Sequence, residues 1–238
     1  MKKILFVAAA MLLMMGANAQ NTFKGTIKYK VESTGEVAMK IPEEQSIVEV
    51  KVLNDQAKMD NIIQRGNVVT TCQDFSQYIM ALSMNDITLE SYEGDGKFLL
   101  KNEITQSEID SLTIPVNEGY YFEYKEGATK EIAGRTGKQA ILHVFDAEGT
   151  DHPIEFWYDP TIGPAHNFLF NGIAGMPLTF SQQLGEGREM TFTAIEVKEG
   201  KVKDVDLLLP AGFKAVSQEE FAAFMQELQD AISLLRGE

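Results

Sequence analysis

The residues of this chain whose types could do chemistry are three histidines, one cysteine and the run Gly134-Arg135-Thr136-Gly137-Lys138. His152, Glu155 and His166 would make a metal or acid–base site if neighbouring strands brought them together. None of His143, His152 and His166, however, stands in a metal-binding pair of the H-E-x-x-H kind. His143 is expected mid-strand between Leu142 and Val144, and the other two flank proline-containing turns, where a polar loop residue is the default. The Gly134–Lys138 run looks like a phosphate loop only superficially. It lacks the full spacing and the Ser/Thr after the lysine, and it falls in a predicted hairpin rather than a strand-to-helix turn. Cys72 is alone, so no intramolecular disulfide forms, and it reads as a small buried strand residue rather than a nucleophile. Glu43-Glu44, Glu219-Glu220, and Asp204 with Asp206 on one face of a predicted strand read as solvated charge rather than calcium or acid–base sites. No nucleophile elbow, C-x-x-C pair or dinucleotide fingerprint is present. The expectation is a protein that is not an enzyme and that carries no metal and no cofactor.

A second group of residues offers binding rather than bond-making. Phe156, Trp157 and Tyr158 stand close in sequence to Phe168, Phe170 and Phe180. Core packing is the first use of such rings, because large aromatics dominate any sheet interior. Where they line an incompletely filled cavity, Phe156, Tyr158, Phe168, Phe170 and Phe180 are the candidates for gripping an acyl chain. Met176, Leu178, Phe224 and Met225 join them, flexible thioethers being adaptable to variable ligands.

The elements that must position these residues follow a period of two. Phe23, Gly25, Ile27, Tyr29 and Val31 alternate with polar residues, as do Val48, Val50 and Val52, which predicts strands with one dry and one wet face. Further strands are predicted at 58–63, 67–72, 77–84, 88–92, 120–124, 139–145, 154–158, 168–170, 178–183, 190–197 and 202–208, separated by glycine turns that suit hairpins. Two helices carry capping boxes. Ser217 with Glu220 opens an amphipathic C-terminal helix bearing Phe221, Phe224, Met225, Leu228, Ile232 and Leu235 on one face, with Val216 stapled to Phe221. Thr105 with Glu108 opens a short helix over 106–112 that could act as a lid. The fold class expected is mainly β (α+β). A large antiparallel sheet must curl or close, giving an open half-barrel with the short helix and the C-terminal helix covering its mouth. Its interior would be filled by the helices, by a ligand, or by both in turn.

Residues 1–19 read as a secretory signal peptide. Lys2 and Lys3 precede an apolar run from Ile4 to Met15 and an Ala17-Asn18-Ala19 site, with cleavage expected between Ala19 and Gln20. The run is too short to anchor the chain in a bilayer, and no cysteine follows the cleavage site to carry a lipid. The expectation is a single domain over 20–238, exported to a periplasm. The formal charge is −14, and two units more negative once Lys2 and Lys3 are removed. Such a balance argues against nucleic acid or anionic membranes as partners.

Three stretches carry a family resemblance: Glu131-Ile132-Ala133-Gly134-Arg135 leading into Lys138-Gln139-Ala140-Ile141, then Ile154-Glu155-Phe156-Trp157-Tyr158, then Gly172-Ile173-Ala174-Gly175-Met176-Pro177-Leu178. They resemble a family of exported bacterial proteins of unknown function that is similar to the GLPGLI proteins and, more distantly, to the LolA/LolB lipoprotein-carrier architecture. Leu209-Pro210-Ala211-Gly212-Phe213-Lys214 resembles that family's P-x-G-[YF]-K ending. Many relatives place a cysteine after the I-A-G turn, where this chain has Thr136 and Gly137. Gly134, Gly172 and Gly175 are expected to supply backbone angles or close approaches that a β-carbon forbids. The resemblance implies an open half-barrel that binds a hydrophobic ligand, a lipid or a lipoprotein acyl chain, and it brings no residue-level binding motif with it. A cell-envelope interaction module with a filled interior is the alternative, and an enzyme with an unrecognised site stands third.

Overall fold

The computed structural model describes residues 22–35, 40–89, 92, 94–185 and 187–236. The segment read as a signal peptide and its expected cleavage site lie outside the described residues. Twelve strands form one mixed sheet: β1 (Lys24–Gly35), β2 (Ile47–Leu53), β3 (Gln56–Met59), β4 (Ile62–Arg65), β5 (Val68–Asp74), β6 (Lys97–Glu103), β7 (Tyr120–Ile132), β8 (Arg135–Val144), β9 (Ile154–Asp159), β10 (Met176–Gly185), β11 (Arg188–Glu199) and β12 (Lys214–Val216). The helices are α1 (Ser76–Ser83), α2 (Gln106–Ser111) and α3 (Gln218–Arg236).

The strand order is β12-β6-β5-β4-β3-β2-β1-β11-β10-β9-β8-β7. It consists of two antiparallel meanders, β1 to β6 and β7 to β11, zipped together where β1 pairs with β11. Among the described residues only β12 runs parallel to its neighbour. The sheet is not closed, and it is the open half-barrel anticipated from the period-two pattern. Irregularities at Lys28/Tyr29, Pro177/Thr179 and Tyr124/Thr129 fall on strands that bury large residues. Bulges of this kind increase local twist and so help the sheet curl around its apolar face. The phosphate-loop look-alike is a tight hairpin: Ala133 and Gly134 both have positive φ between β7 and β8, the geometry that matches strand twist.

Two apolar clusters result. The larger gathers the dry faces of β1, β2, β3 and β7 to β11. The smaller lies at the β6 end, where Leu82 of α1, Phe98 of β6, and Phe224, Leu228 and Ala231 of α3 pack with Phe75, Tyr92 and Phe221. Both capping boxes form. Ser217 Oγ accepts from Glu220 N at 3.0 Å while Glu220 receives Ser217 N at 2.7 Å, and Thr105 and Glu108 reciprocate in the same way. Val216 and Phe221 share the helix cluster, as the staple requires.

Several predicted strands are something else. The predicted strand 77–84 falls on α1 and its C-cap Met84, because burial there follows a helical period. Phe75, Ile79 and Leu82 face the cluster, whereas Tyr78, Met80 and Met84 of the apparent alternation are 53, 56 and 75% exposed. In the predicted strand 88–92, Leu89 and Tyr92 pack on the helices from irregular backbone, and Glu90 and Ser91 lie outside the described residues. Phe168–Phe170 is a 3-10 turn capped by the Asn167 side chain. Asp204–Leu207 is another, so Asp204 and Asp206 do not share a strand face, and Asp206 instead accepts Lys203 N at 2.8 Å. Strands β6 and β12 take their place. In β6, Phe98 and Leu100 are buried, but Leu99 between them breaks the alternation that sequence reading relies on.

Candidate functional site

The large cluster draws on six of the nine candidate residues, on the dry faces of the neighbouring strands and on a segment between β9 and β10. Phe156 and Tyr158 project from β9, and Met176, Leu178 and Phe180 from β10. Tyr29 from β1 and Phe122 from β7 complete the wall. Residues 160–175, between the two strands, push Ile162, Phe170 and Ile173 into the same cluster, with exposures of 0, 5 and 0%. The rings form a continuous chain: Phe170 stands 5.9 Å from Tyr29 and 5.1 Å from Phe180, Phe180 is 5.2 Å from Phe156, and Phe156 meets Phe122 edge-on at 5.5 Å. The half-barrel interior is therefore filled by the chain's own inserted plug.

The plug has no strand ladder of its own, so its polar backbone must be satisfied individually. Part of it pairs within the segment, as in Asn167 N to Ile173 O at 2.7 Å and Gly172 N to Asn167 O at 2.9 Å, and Gln64, fully buried on β4, ties it to the sheet. Its amide nitrogen donates to His166 O at 2.6 Å and Gly66 O at 2.8 Å, and its carbonyl accepts Phe168 N at 2.8 Å. The Tyr124 hydroxyl accepts Ala174 N at 3.0 Å, and the Tyr29 hydroxyl donates to Pro177 O at 2.6 Å where the plug rejoins β10. Burial pushes the Tyr124 phenol up to about 12 and raises those of Tyr29 and Tyr158, so all three stay neutral, and Tyr124 and Tyr29 act as neutral hydrogen-bonding groups. At the base, Asp159 is 5% exposed at its side chain, receives Arg135 Nε at 2.8 Å and also accepts the Thr161 amide and hydroxyl. Gly175 closes the base at φ +101°, where a β-carbon would come within 2.5 Å of Asp159 O and 2.6 Å of Pro160 Cα. This is the close approach expected of a glycine at that position. At the tip, a β-carbon on Gly172 would lie 2.7 Å from Leu112, so the C-terminal end of α2 abuts the plug.

Six of the nine candidate residues thus converge: Phe156, Tyr158, Phe170, Met176, Leu178 and Phe180. Phe168 belongs to the plug but is half-buried outside the cluster, against Gly172. Phe224 and Met225 pack elsewhere, with Phe98 and Leu82. Sequence reasoning missed Gln64, Asn167, Ile162, Ile173 and the Arg135–Asp159 pair. Ile162 and Ile173 were visible as apolar residues inside a Gly/Pro-rich connection. Gln64 gave no signal, since a glutamine in a strand ordinarily faces water.

The possible chemical groups are dispersed. His152 pairs with Asp146 at 2.8 Å, Glu155 with Gln139 at 2.7 Å, and His166 approaches Gly172 O, so the site that would have joined His152, Glu155 and His166 is not assembled. His143 lies on β8 but next to its C-terminal end rather than mid-strand, between Asp151 at 2.7 Å and Glu123 at 3.4 Å and stacked on Tyr121. Among the described residues no group of three or more His, Cys, Asp or Glu side chains could hold a metal ion. Cys72 is buried on β5, as anticipated, and burial pushes its thiol up, away from the nucleophilic thiolate.

The β8–β9 turn carries a pH dependence. The hydrogen bond from His152, followed by backbone amides of Thr150 and Glu148, holds the Asp146 carboxyl below the ordinary aspartate range. A carboxyl depressed in the folded state stabilises at pH values above its unfolded pKa, and that contribution disappears as pH falls through the folded value. Asp146→Asn is therefore expected to destabilise the protein at pH 7 and to have a smaller effect near pH 3, as read from urea unfolding at the two pH values.

No protein-family model and no curated protein sequence matches the chain. Among solved structures it is similar to the lipoprotein LppX of Mycobacterium tuberculosis, with 12% identity, 75% of this chain and 89% of that one covered, and a TM-score of 0.27. It is also similar to a chain of the Pseudomonas aeruginosa MucA/MucB complex, with 13% identity, 83% of this chain and 58% of that one covered, and a TM-score of 0.31. A LolA superfamily protein from Nitrosomonas europaea matches at 10% identity, 79% of this chain and 90% of that one, with a TM-score of 0.25. At these TM-scores none of the likenesses carries an argument, and the half-barrel assignment rests on the strand order and register themselves.

Proposed function

We propose that this protein is a non-enzymatic, periplasmic binder of a hydrophobic ligand, a lipid or a lipoprotein acyl chain, exported behind the leader 1–19 as a single domain over 20–238. The supporting observation is that the apolar interior of an open sheet is occupied by the 160–175 segment, which is held by a few side-chain latches rather than by strand pairing. In this reading the plug is a self-ligand. Its displacement exposes Phe156, Tyr158, Met176, Leu178 and Phe180 to an acyl chain, and affinity is set by apolar area buried at roughly 25 cal/mol per Å². Filling of the interior by the chain itself also favours a second reading, an envelope interaction module whose core never opens and whose partner is another protein.

Native mass spectrometry of protein taken from the periplasm of its producing cells, with organic extraction and lipid analysis, separates the two. A stoichiometric acyl-containing species, and thermal stabilisation of the stripped protein by long-chain lipids, is the expected result. A clean apo mass with no stabilisation by fatty acids or phospholipids removes the ligand reading and leaves the interaction module.

A further inference from the structure

We propose that the cleft at the β8–β9 rim is a separate binding site for a small amphiphile that carries a cationic nitrogen on an apolar body. The cleft has a volume of about 600 Å³ and is lined by Val144, Phe145, Pro153 and Ile154 on its apolar side and by Asp146, Asp151, His152 and Gln183 on its polar side. That volume lies within the range of small-molecule sites, which combine an apolar lining with a few placed polar groups. Val144 and Ile154 pack against the main cluster from the ends of β8 and β9, so the apolar side has a firm backing.

The polar side selects the charge of the occupant. Its residues include two carboxylates and neither lysine nor arginine. Asp146 is fully engaged, accepting Glu148 N and Thr150 N through Oδ1 and meeting His152 through Oδ2. Asp151 differs. Its Oδ2 holds His143 Nδ1 at 2.7 Å, and among the described residues its Oδ1 has no hydrogen-bond partner. That oxygen is the acceptor for a ligand ammonium, and the turn that presents it is fixed by the Phe145–Asp151 bridge and by His152 N donating to Val144 O at 2.8 Å. A carboxylate head group would meet the like charge of Asp146 and Asp151 there, with the ring nitrogens His143 Nδ1 and His152 Nε2 already engaged by those two carboxylates. The site stands open with the plug in place, so it does not rest on plug displacement.

Calorimetric titration of the mature protein with octylammonium and with octanoate, which share an apolar chain and differ in the sign of the head, tests the proposal. Octylammonium is expected to bind saturably and octanoate more weakly, with Asp151→Asn weakening octylammonium by about fivefold, as for a partly exposed ion pair. The asparagine retains an acceptor for His143, so the turn survives. Methyl NMR provides a readout on the unmutated protein: octylammonium should shift Val144 and Ile154 and leave Ile162 and Ile173 unmoved. Equal binding of the two amphiphiles, no binding of octylammonium, indifference to Asp151→Asn, or shifts confined to Ile162 and Ile173 overturns the cleft proposal. The last of these would still support ligand entry into the half-barrel interior.

Discussion

Truncating Phe156 to alanine is expected to lower the unfolding free energy by about 3–5 kcal/mol, the range for a large ring removed from a packed core. Phe156 has no exposed surface, makes a T-shaped contact with Phe122 and stacks on Phe180, so its removal opens a void bounded by aromatic and aliphatic side chains. Such a void stays dry and takes up small apolar molecules. Urea unfolding should therefore show a large loss in Phe156→Ala that benzene partly restores. Phe168→Ala, at a half-buried position outside the cluster, should cost about 1 kcal/mol and gain nothing from benzene. If the two variants lose the same stability, the plug and the wall do not form one packed interior. The contrast matters for function because both rings were equally plausible ligand contacts in the sequence, whereas the structure puts only one of them in the wall of the candidate cavity.

How far the sequence was legible follows from what each signal averages over. Alternation marks β1, β2, β9 and β10, and those strands are where the period placed them to within a residue or two at each end, except that β1 runs on from Val31 to Gly35. The capping boxes at Thr105 and Ser217 involve only residues three apart, and local chemistry of that kind survives any tertiary context. The failures share a cause. In α1, β6 and the Asp204–Leu207 turn, apolar residues lie on both faces or at mixed spacing, so the period depends on which tertiary neighbour arrives. Phe98 waits for α3, and Leu207 for Leu53 and Ile63. The candidate site divides in the same way. Residues on strands flanking the Gly/Pro-rich connection were found because aromatics there had a visible strand period. Phe224 and Met225 were assigned to the same cavity because helical amphipathicity says that a face is buried without saying against what. That a connection of sixteen residues would fold inward and become the core's filling is a long-range fact. It depends on Gln64, a hundred residues away in sequence, and nothing local to either partner announces it.

Replacing Gln64 by leucine is the sharpest test of whether that filling can leave. The substitution keeps a similar volume but strips three hydrogen bonds from half-buried backbone groups, at His166 O, Gly66 O and Phe168 N. Leaving such groups unpaired costs on the order of 1–3 kcal/mol each, with relaxation of the exposed neighbours reducing the total, so a net loss of about 2–4 kcal/mol is expected in urea unfolding. The loss should be local. Amide exchange at Phe168, Gly172 and Ala174 should accelerate in Gln64→Leu well before β1, β10 and β11 are affected, because the latch bears on the plug and not on the strand ladders. If the plugged state is the closed form of a ligand site, its apparent affinity for a ligand is the intrinsic affinity scaled by the fraction of open protein. Weakening the plug by about 2 kcal/mol then tightens apparent binding of a long-chain fatty acid by up to about 30-fold. Stability lost with exchange accelerated and affinity raised identifies segment 160–175 as the gate of a hydrophobic site. Stability lost with neither change means that the segment is a permanent part of the core, and the acidic outer surface, rather than the interior, is where this protein meets its partner.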